Sequence, residues 1–464
     1  MYLCLTIGYG RMFLLEVLLA NPHSSENNMI NTIPVKLKDR RARRSWYFYD
    51  FGNSAYAAVV LLAVFSAYFK GVVVGGAEGT RLWGIAVGTA AILVAIISPV
   101  LGSIADFSRA KKLMLFIFTT ISIVFTGLLF FVGPGDVIMA MTFFILAEIG
   151  YRGAQVFYDA LLVDVATPET IGDVSGKGWA IGSIGGVVCL VIVLALLKGF
   201  NVPVQYAFLV TALFYAASAL PTFLWVKQIS EPEKLRAGET TFGMAFKKLA
   251  DTFKAIKSYK EFVKYMVAFL IYNDGIMMLM DFAAIIGATL FGVDQTQLII
   301  FVIIIQIAGA GGAFLFGKIS DRRSSKESVI YALLILIGAI IALLFIKSMV
   351  LFFVVGAVAG FSLSGAQAVS RSMVSQLAPP DKVAEFYGFL SVAGRTSTFI
   401  GPLVFGTLSF RMHNWYQNRG FDAVASEHNG LMWGIGSILV FLVIGLLFLL
   451  KVRKVTYKNP MTFD

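Results

Sequence analysis

Charge is what this sequence has least of. Of 464 residues only 14% are charged, 58% are hydrophobic and the mean hydropathy is +0.81, whereas soluble domains carry roughly 25% charged and 45 to 50% apolar residues. A water-soluble fold is excluded, and the chain reads as an all-α integral membrane protein. Cysteine is nearly missing too. Cys4, in the amino-terminal stretch, and Cys189, inside an apolar run, make neither a disulfide framework nor a metal site. Of three histidines, His413 and His428 fall in one expected polar loop, so no metal and no cofactor is expected. No Gly-x-x-x-x-Gly-Lys-Ser/Thr loop occurs, which argues against ATP-driven transport by this chain alone. The net charge of +11 would suit nucleic acid, but Lys and Arg sit in short tracts between apolar runs, as in loops facing anionic lipid. The expected partners are the bilayer and a small-molecule substrate, with no nucleic acid, and the chain is expected to be a monomer.

What is abundant is apolar runs of membrane length, about 20 residues each. Six precede a Lys-rich connection: Trp46 to Phe69, Leu82 to Ile104, Leu113 to Val132, Val137 to Tyr158, Gly178 to Leu197 and Tyr206 to Val226. Six follow it: Phe262 to Phe291, Leu298 to Gly317, Val329 to Ile346, Leu351 to Val369, Phe386 to Phe410 and Leu431 to Leu450. This divides the chain into a flexible segment 1–45, a six-helix bundle 46–227, a connection 228–261, a second bundle 262–450 and a tail 451–464. Residues Phe242 to Tyr265 read as a basic amphipathic helix lying on the membrane surface. Basic residues cluster on one side when spans are counted off, so both termini are expected in the cytoplasm, with the protein in the plasma membrane. Met29 is an alternative start.

Two signatures recur in order. Gly102-Ser-Ile-Ala-Asp106 with Arg109, Lys111 and Lys112 follows span two; Gly317-Lys-Ile-Ser-Asp321 with Arg322, Arg323 and Lys326 follows span eight, an offset of 215. Asp164 to Ile171, with Gly176 and Gly182, is answered by Gln376 to Val383, with Gly388 and Gly394, at an offset of 212. A parallel repeat of two six-span halves places a substrate site between them near the midplane. Asp106 and Asp321 are expected to accept hydrogen bonds from a neighbouring helix start or an Arg and to latch one conformation.

The paired turns resemble the loop signature of the major facilitator superfamily, although the usual second glycine is replaced (Arg109, Ser324). Tyr49-Asp50-Phe51-Gly52-Asn53-Ser54-Ala55-Tyr56, Tyr272-Asn273-Asp274-Gly275 and Gly176-Lys177-Gly178-Trp179-Ala180-Ile181-Gly182 resemble the vacuole-effluxer, or autophagy-related permease, subgroup. The resemblance covers Trp46 to Leu450. It implies a twelve-helix secondary transporter and, from the vacuolar members, amino-acid export; it does not carry the substrate over.

The candidate site residues are ionisable groups sunk in apolar runs. At about 100° per residue Glu148, Arg152, Gln155 and Asp159 fall at about 0°, 40°, −20° and 20°, one narrow helix face. Each buried charge costs at least roughly 2.5 to 3.5 kcal/mol in lipid, so that face is expected to look into a bundle or cavity. Glu148 and Arg152 can pair on their own helix. Asp274 has no basic partner within four residues and is the first choice for proton coupling or for binding an ammonium group. Arg395, with Ser391 and Thr398 on its face, suits a substrate carboxylate. Asp50, Asn53, Asn273 and Gln367 are weaker candidates, and Asp281 shares the face of Asp274 nearer the outer surface. Gly178, Gly182 and Gly186 in span five and Gly312 in span eight are expected to bring those two helices together across the halves. The leading expectation is alternating-access transport of a small polar solute, an amino acid or similar, with protons as the candidate coupling ion. A membrane-embedded enzyme and a non-transporting receptor or scaffold remain alternatives.

Overall fold

The computed structural model describes residues 40–107, 110–166, 170–229, 259–378, 386, 390, 394 and 398–453. Within them the first half comprises α1 (Arg40–Val74), α2 (Gly76–Phe107), α3 (Lys111–Phe131), α4 (Val137–Ala160), α5 (Ile171–Gly199) and α6 (Tyr206–Trp225). The second comprises α7 (Lys260–Phe291), α8 (Gln295–Arg322), α9 (Ser325–Leu343), α10 (Met349–Leu377), α11 (Ile400–Gln417) and α12 (Ala423–Leu450). All but α11 are long and apolar enough to cross a membrane. Helix satisfies every interior peptide group within the segment, which lipid demands because it offers no hydrogen-bond partner.

The two halves repeat one packing plan. In the first, α1 packs on α5 and α6, α4 on α2 and α3, and α3 on α6; in the second, α7 packs on α11 and α12, α10 on α8 and α9, and α9 on α12. Between halves α2 meets α11 and α5 meets α8, one contact made twice with the halves exchanged, while α1 meets α7 and α8. That is the major facilitator fold.

Several boundaries differ from expectation. α1 begins at Arg40, inside the stretch 1–45 expected to be flexible, because its basic residues find partners: the Arg41 guanidinium lies 3.8 Å from the centre of the Trp225 ring and Arg43 Nε donates to the Val165 carbonyl at 3.3 Å. Of the proposed surface helix Phe242 to Tyr265, residues up to Ser258 lie outside the described residues, and Lys260 to Tyr265 open α7 instead. α11 and α12 extend beyond the expected span edges, so His413 and His428 sit on helices rather than in one polar loop. α1 is also not a uniform helix. Residues Ala57–Ala63 and Phe69–Val74 are π-helical, and between them Val64 leaves regular geometry at φ −115°; such insertions mark functional positions more often than chance.

Candidate functional site

The charged face of α4 turns inward at Glu148 and Arg152, whereas Gln155 is half-buried and Asp159 exposed. Glu148 is fully buried and Arg152 is 9% exposed, and Arg152 Nε donates to Glu148 Oε1 at 2.5 Å across one helical turn. Unpaired, either charge would cost several kcal/mol at this depth; the pair makes both tolerable. Glu148 Oε2 has no hydrogen-bond partner among the described residues. Tyr56 of α1, stacked on Tyr151 with ring centres 4.7 Å apart, lies within electrostatic reach of Glu148.

The second half brings Asp281 to this pair. Its carboxylate is buried and within electrostatic reach of Arg152, Glu148 and Asp274, and its backbone carbonyl accepts from Trp83 Nε1 of α2 at 2.8 Å. Asp281 therefore sits at the junction of the halves, more central than its position in sequence implied. Asp274, also buried, faces the first turn of α11: a Cβ built on Gly401 would lie 2.9 Å from Asp274 Oδ1, an oxygen with no hydrogen-bond partner among the described residues. Helix starts favour carboxylates, and a glycine there leaves room for one. The described cluster thus holds three acids, Glu148, Asp274 and Asp281, and one base, Arg152. Arg395 lies outside the described residues.

The weaker candidates divide. Asn53 is buried in a network internal to the first half, its Oδ1 accepting from Tyr215 at 2.9 Å, with Tyr215 linked to Tyr49 at 2.8 Å and Tyr49 to Thr119 at 2.7 Å; this ties α1 to α6 and α3. Asp50 is half-buried, packs beside Gly182, and has Asp159 and Arg371 within electrostatic reach. Asn273 is buried next to Tyr272, whose hydroxyl meets Ser370 Oγ at 2.6 Å. Gln367 is half-buried on α10. Gln306, passed over in the sequence, has a buried amide nitrogen with no partner among the described residues and lies 3.5 Å from where a Cβ on Gly186 would sit, across the halves. Its signal was available: it is a lone amide in the apolar run from Leu298 to Phe316.

The glycine stripes hold helices together mainly within each half. A Cβ on Gly178 would strike the Trp46 ring at 2.5 Å, one on Gly182 the Asp50 carboxylate at 2.7 Å, and one on Gly312 the Phe361 carbonyl oxygen at 1.8 Å. So Gly178 and Gly182 close α5 on α1 and Gly312 closes α8 on α10; α5 and α8 do meet across the halves as expected, and of the expected glycines Gly186 alone approaches the other half there, at Gln306. The glycines of the expected paired turns lie instead inside helices, Gly102 in α2 and Gly317 in α8, each with open space where a side chain would be. Lys111 Nζ reaches the Ala160 carbonyl at 3.5 Å, and Lys326 Nζ donates to the Leu450 and Val452 carbonyls at 2.9 and 2.6 Å, so cations close helix carboxyl ends there. Asp321 and Arg322 are exposed, and the Asp106 side chain and Arg109 lie outside the described residues.

An apolar cavity of about 60 Å³ between α7, α8 and α10, lined by residues such as Leu279, Phe301 and Phe352, has no group to orient a polar solute and is separate from the charged cluster.

The comparisons with known proteins agree with this architecture. A family model described as "Vacuole effluxer Atg22 like" matches residues 84–172 and 165–421. The chain belongs to that family. Among its relatives, the Bacillus subtilis protein titled uncharacterised MFS-type transporter YxiO is 28% identical over 377 residues, 78% of this chain and 87% of that protein. Saccharomyces cerevisiae autophagy-related protein 22 is 22% identical over 278 residues, and the chain spans about half of that relative's length, 52%. Solved structures with this fold include a bacterial homologue of the human lysosomal transporter Spinster, inward-facing and unoccupied (TM-score 0.65, 15% identity, 88% of this chain and 95% of that one). The nucleoside transporter NupG is another (TM-score 0.63, 14% identity, 90% and 99%). This Atg22-like chain is accordingly a multi-pass membrane protein, a transporter of the major facilitator type.

Proposed function

We propose that this Atg22-like protein is a secondary transporter that moves a small polar, ionisable solute, an amino acid or similar, by alternating access between its halves, with protons as the coupling ion. One observation carries the reading: the Glu148–Arg152 pair of one half and Asp281 of the other lie within electrostatic reach across the junction. A charge cluster divided between two bodies changes energy when the bodies move, which is what coupling a bound charge to a conformational change requires. The excess of acid over base gives the site room for a proton or a cationic group. In this reading residues 46–227 and 262–450 are the moving bodies, 228–261 the connection, and 1–45 and 451–464 cytoplasmic at a plasma membrane. Asp274 at the start of α11 and Arg395 complete the site, and the Asp106 and Asp321 turns close the cytoplasmic end.

The test is flux. Purified protein in liposomes, offered labelled amino acids and nucleosides with and without a pH gradient, should concentrate one class of solute, and an inward proton gradient should change the rate. Equal leak from protein-containing and empty vesicles for every solute would refute transport, and flux indifferent to the gradient would refute proton coupling.

A further inference from the structure

The end of the molecule remote from the described termini is closed by contacts between the halves. Trp83 of α2 donates to the Asp281 carbonyl, and the Arg81 guanidinium stands 4.9 Å from the centre of the Phe410 ring. Two further contacts converge on α1. Gln295 Nε2, at the start of α8, donates to the Ala63 carbonyl at 2.8 Å, where the π-turn before Val64 has disturbed the helix's own bonding. Seven residues on, Lys70 Nζ lies 2.7 Å from Glu427 Oε1 of α12, with the two side chains only 12% and 19% exposed. The segment bearing Lys70, Phe65–Val74, is separated from Ala63 and the rest of α1 by Val64, and it is also tied to its own half: Tyr68 donates to the Val132 carbonyl at 2.7 Å and Gly135 N to the Val73 carbonyl at 2.9 Å.

We propose that Lys70 and Glu427 form the lock that holds this end shut, carried on an outer segment of α1 that bends at Val64 when the halves part. It rests on the alternating-access reading. An opposite-charge pair at 2.7 Å, screened from water on both sides, favours the closed arrangement alone, because separation leaves two hydrated single charges with no mutual attraction. The Gln295 contact adds to the lock without charge, bonding a carbonyl at the end of the π-turn, on the inner side of Val64. The tyrosine and glycine bonds keep the segment with the first half as the second half withdraws.

The lock is tested without a substrate. In a Cys4→Ser, Cys189→Ser background, spin labels at Phe131→Cys and Lys347→Cys, both exposed at this end and on opposite halves, report the separation by pulsed electron resonance in liposomes. The otherwise unaltered labelled protein should show a dominant short distance and a minor long one. Lys70→Gln and Glu427→Gln should each raise the long-distance population roughly fivefold, the worth of about 1 kcal/mol for a half-buried pair. The exchange Lys70→Glu with Glu427→Lys should bring it back to within about twofold of the original. Two distances whose proportions ignore all these variants would overturn the lock and leave alternating access standing. A single short distance throughout would overturn the alternating-access reading and the lock with it.

Discussion

The halves carry their buried charges differently. In the first, acid and base are neighbours on one helix: Glu148 and Arg152 are one turn apart on α4 and bonded at 2.5 Å. In the second, Asp274 and Asp281 stand on α7 with no basic residue between Lys264 and Phe291 on that helix. A self-paired charge is indifferent to how the halves are arranged; an unpaired one is not. In the proposed reading the first half supplies the bonded pair and the second the responsive acids, with Arg152 within electrostatic reach of both Glu148 and Asp281.

That contrast can be broken most severely at Arg152. Arg152→Ala leaves Glu148 fully buried without its cation and Asp281 without its nearest one, and should cost about 3 to 5 kcal/mol, read as a large fall in the detergent melting temperature. Glu148→Gln should cost clearly less, since Arg152 retains Asp281; equal losses would mean that Asp281 gives Arg152 nothing. The packing of the two halves offers the next largest effect. Gly312→Ala drives a Cβ into the Phe361 backbone and should cost about 1 to 3 kcal/mol, whereas Gly182→Ala meets the end of the Asp50 side chain, which can turn aside, and should cost about 1 kcal/mol or less. Melting curves that reverse this order would contradict the close approach of α8 to α10. The smallest effect on stability is expected from Asp274→Asn, which keeps shape and removes charge at the α11 helix start. Its consequence should be functional: solute binding retained in a ligand-protection assay, with the response of flux to a pH gradient lost. A variant that keeps its gradient response would move the coupling role to Asp281.

Much of this was legible in the residues. Hydropathy gave the spans except that of α11, which among the described residues is not long and apolar enough to cross, the Gly102 and Gly317 signatures gave the repeat, and helical spacing put Glu148 and Arg152 on one face. The electrostatic contact across halves was harder to read, because Arg152 and Asp281 are far apart in sequence and no local periodicity links them. The glycine stripes announced close packing without naming a partner: a small residue at Gly182 says that something approaches, and only the fold says that it is α1. Helix ends were obscured for a related reason. Arg41 and Arg43 look like a solvated tract until Trp225 and the Val165 carbonyl are brought beside them.

The most direct measurement is a double-mutant cycle on Arg152→Gln and Asp281→Asn, read as unfolding free energy in detergent. The expected result is that the double variant is less destabilised than the sum of the single ones, with a coupling of about 0.5 to 3 kcal/mol, because the two charges lie within electrostatic reach across the junction. Strict additivity would contradict a shared site between the halves.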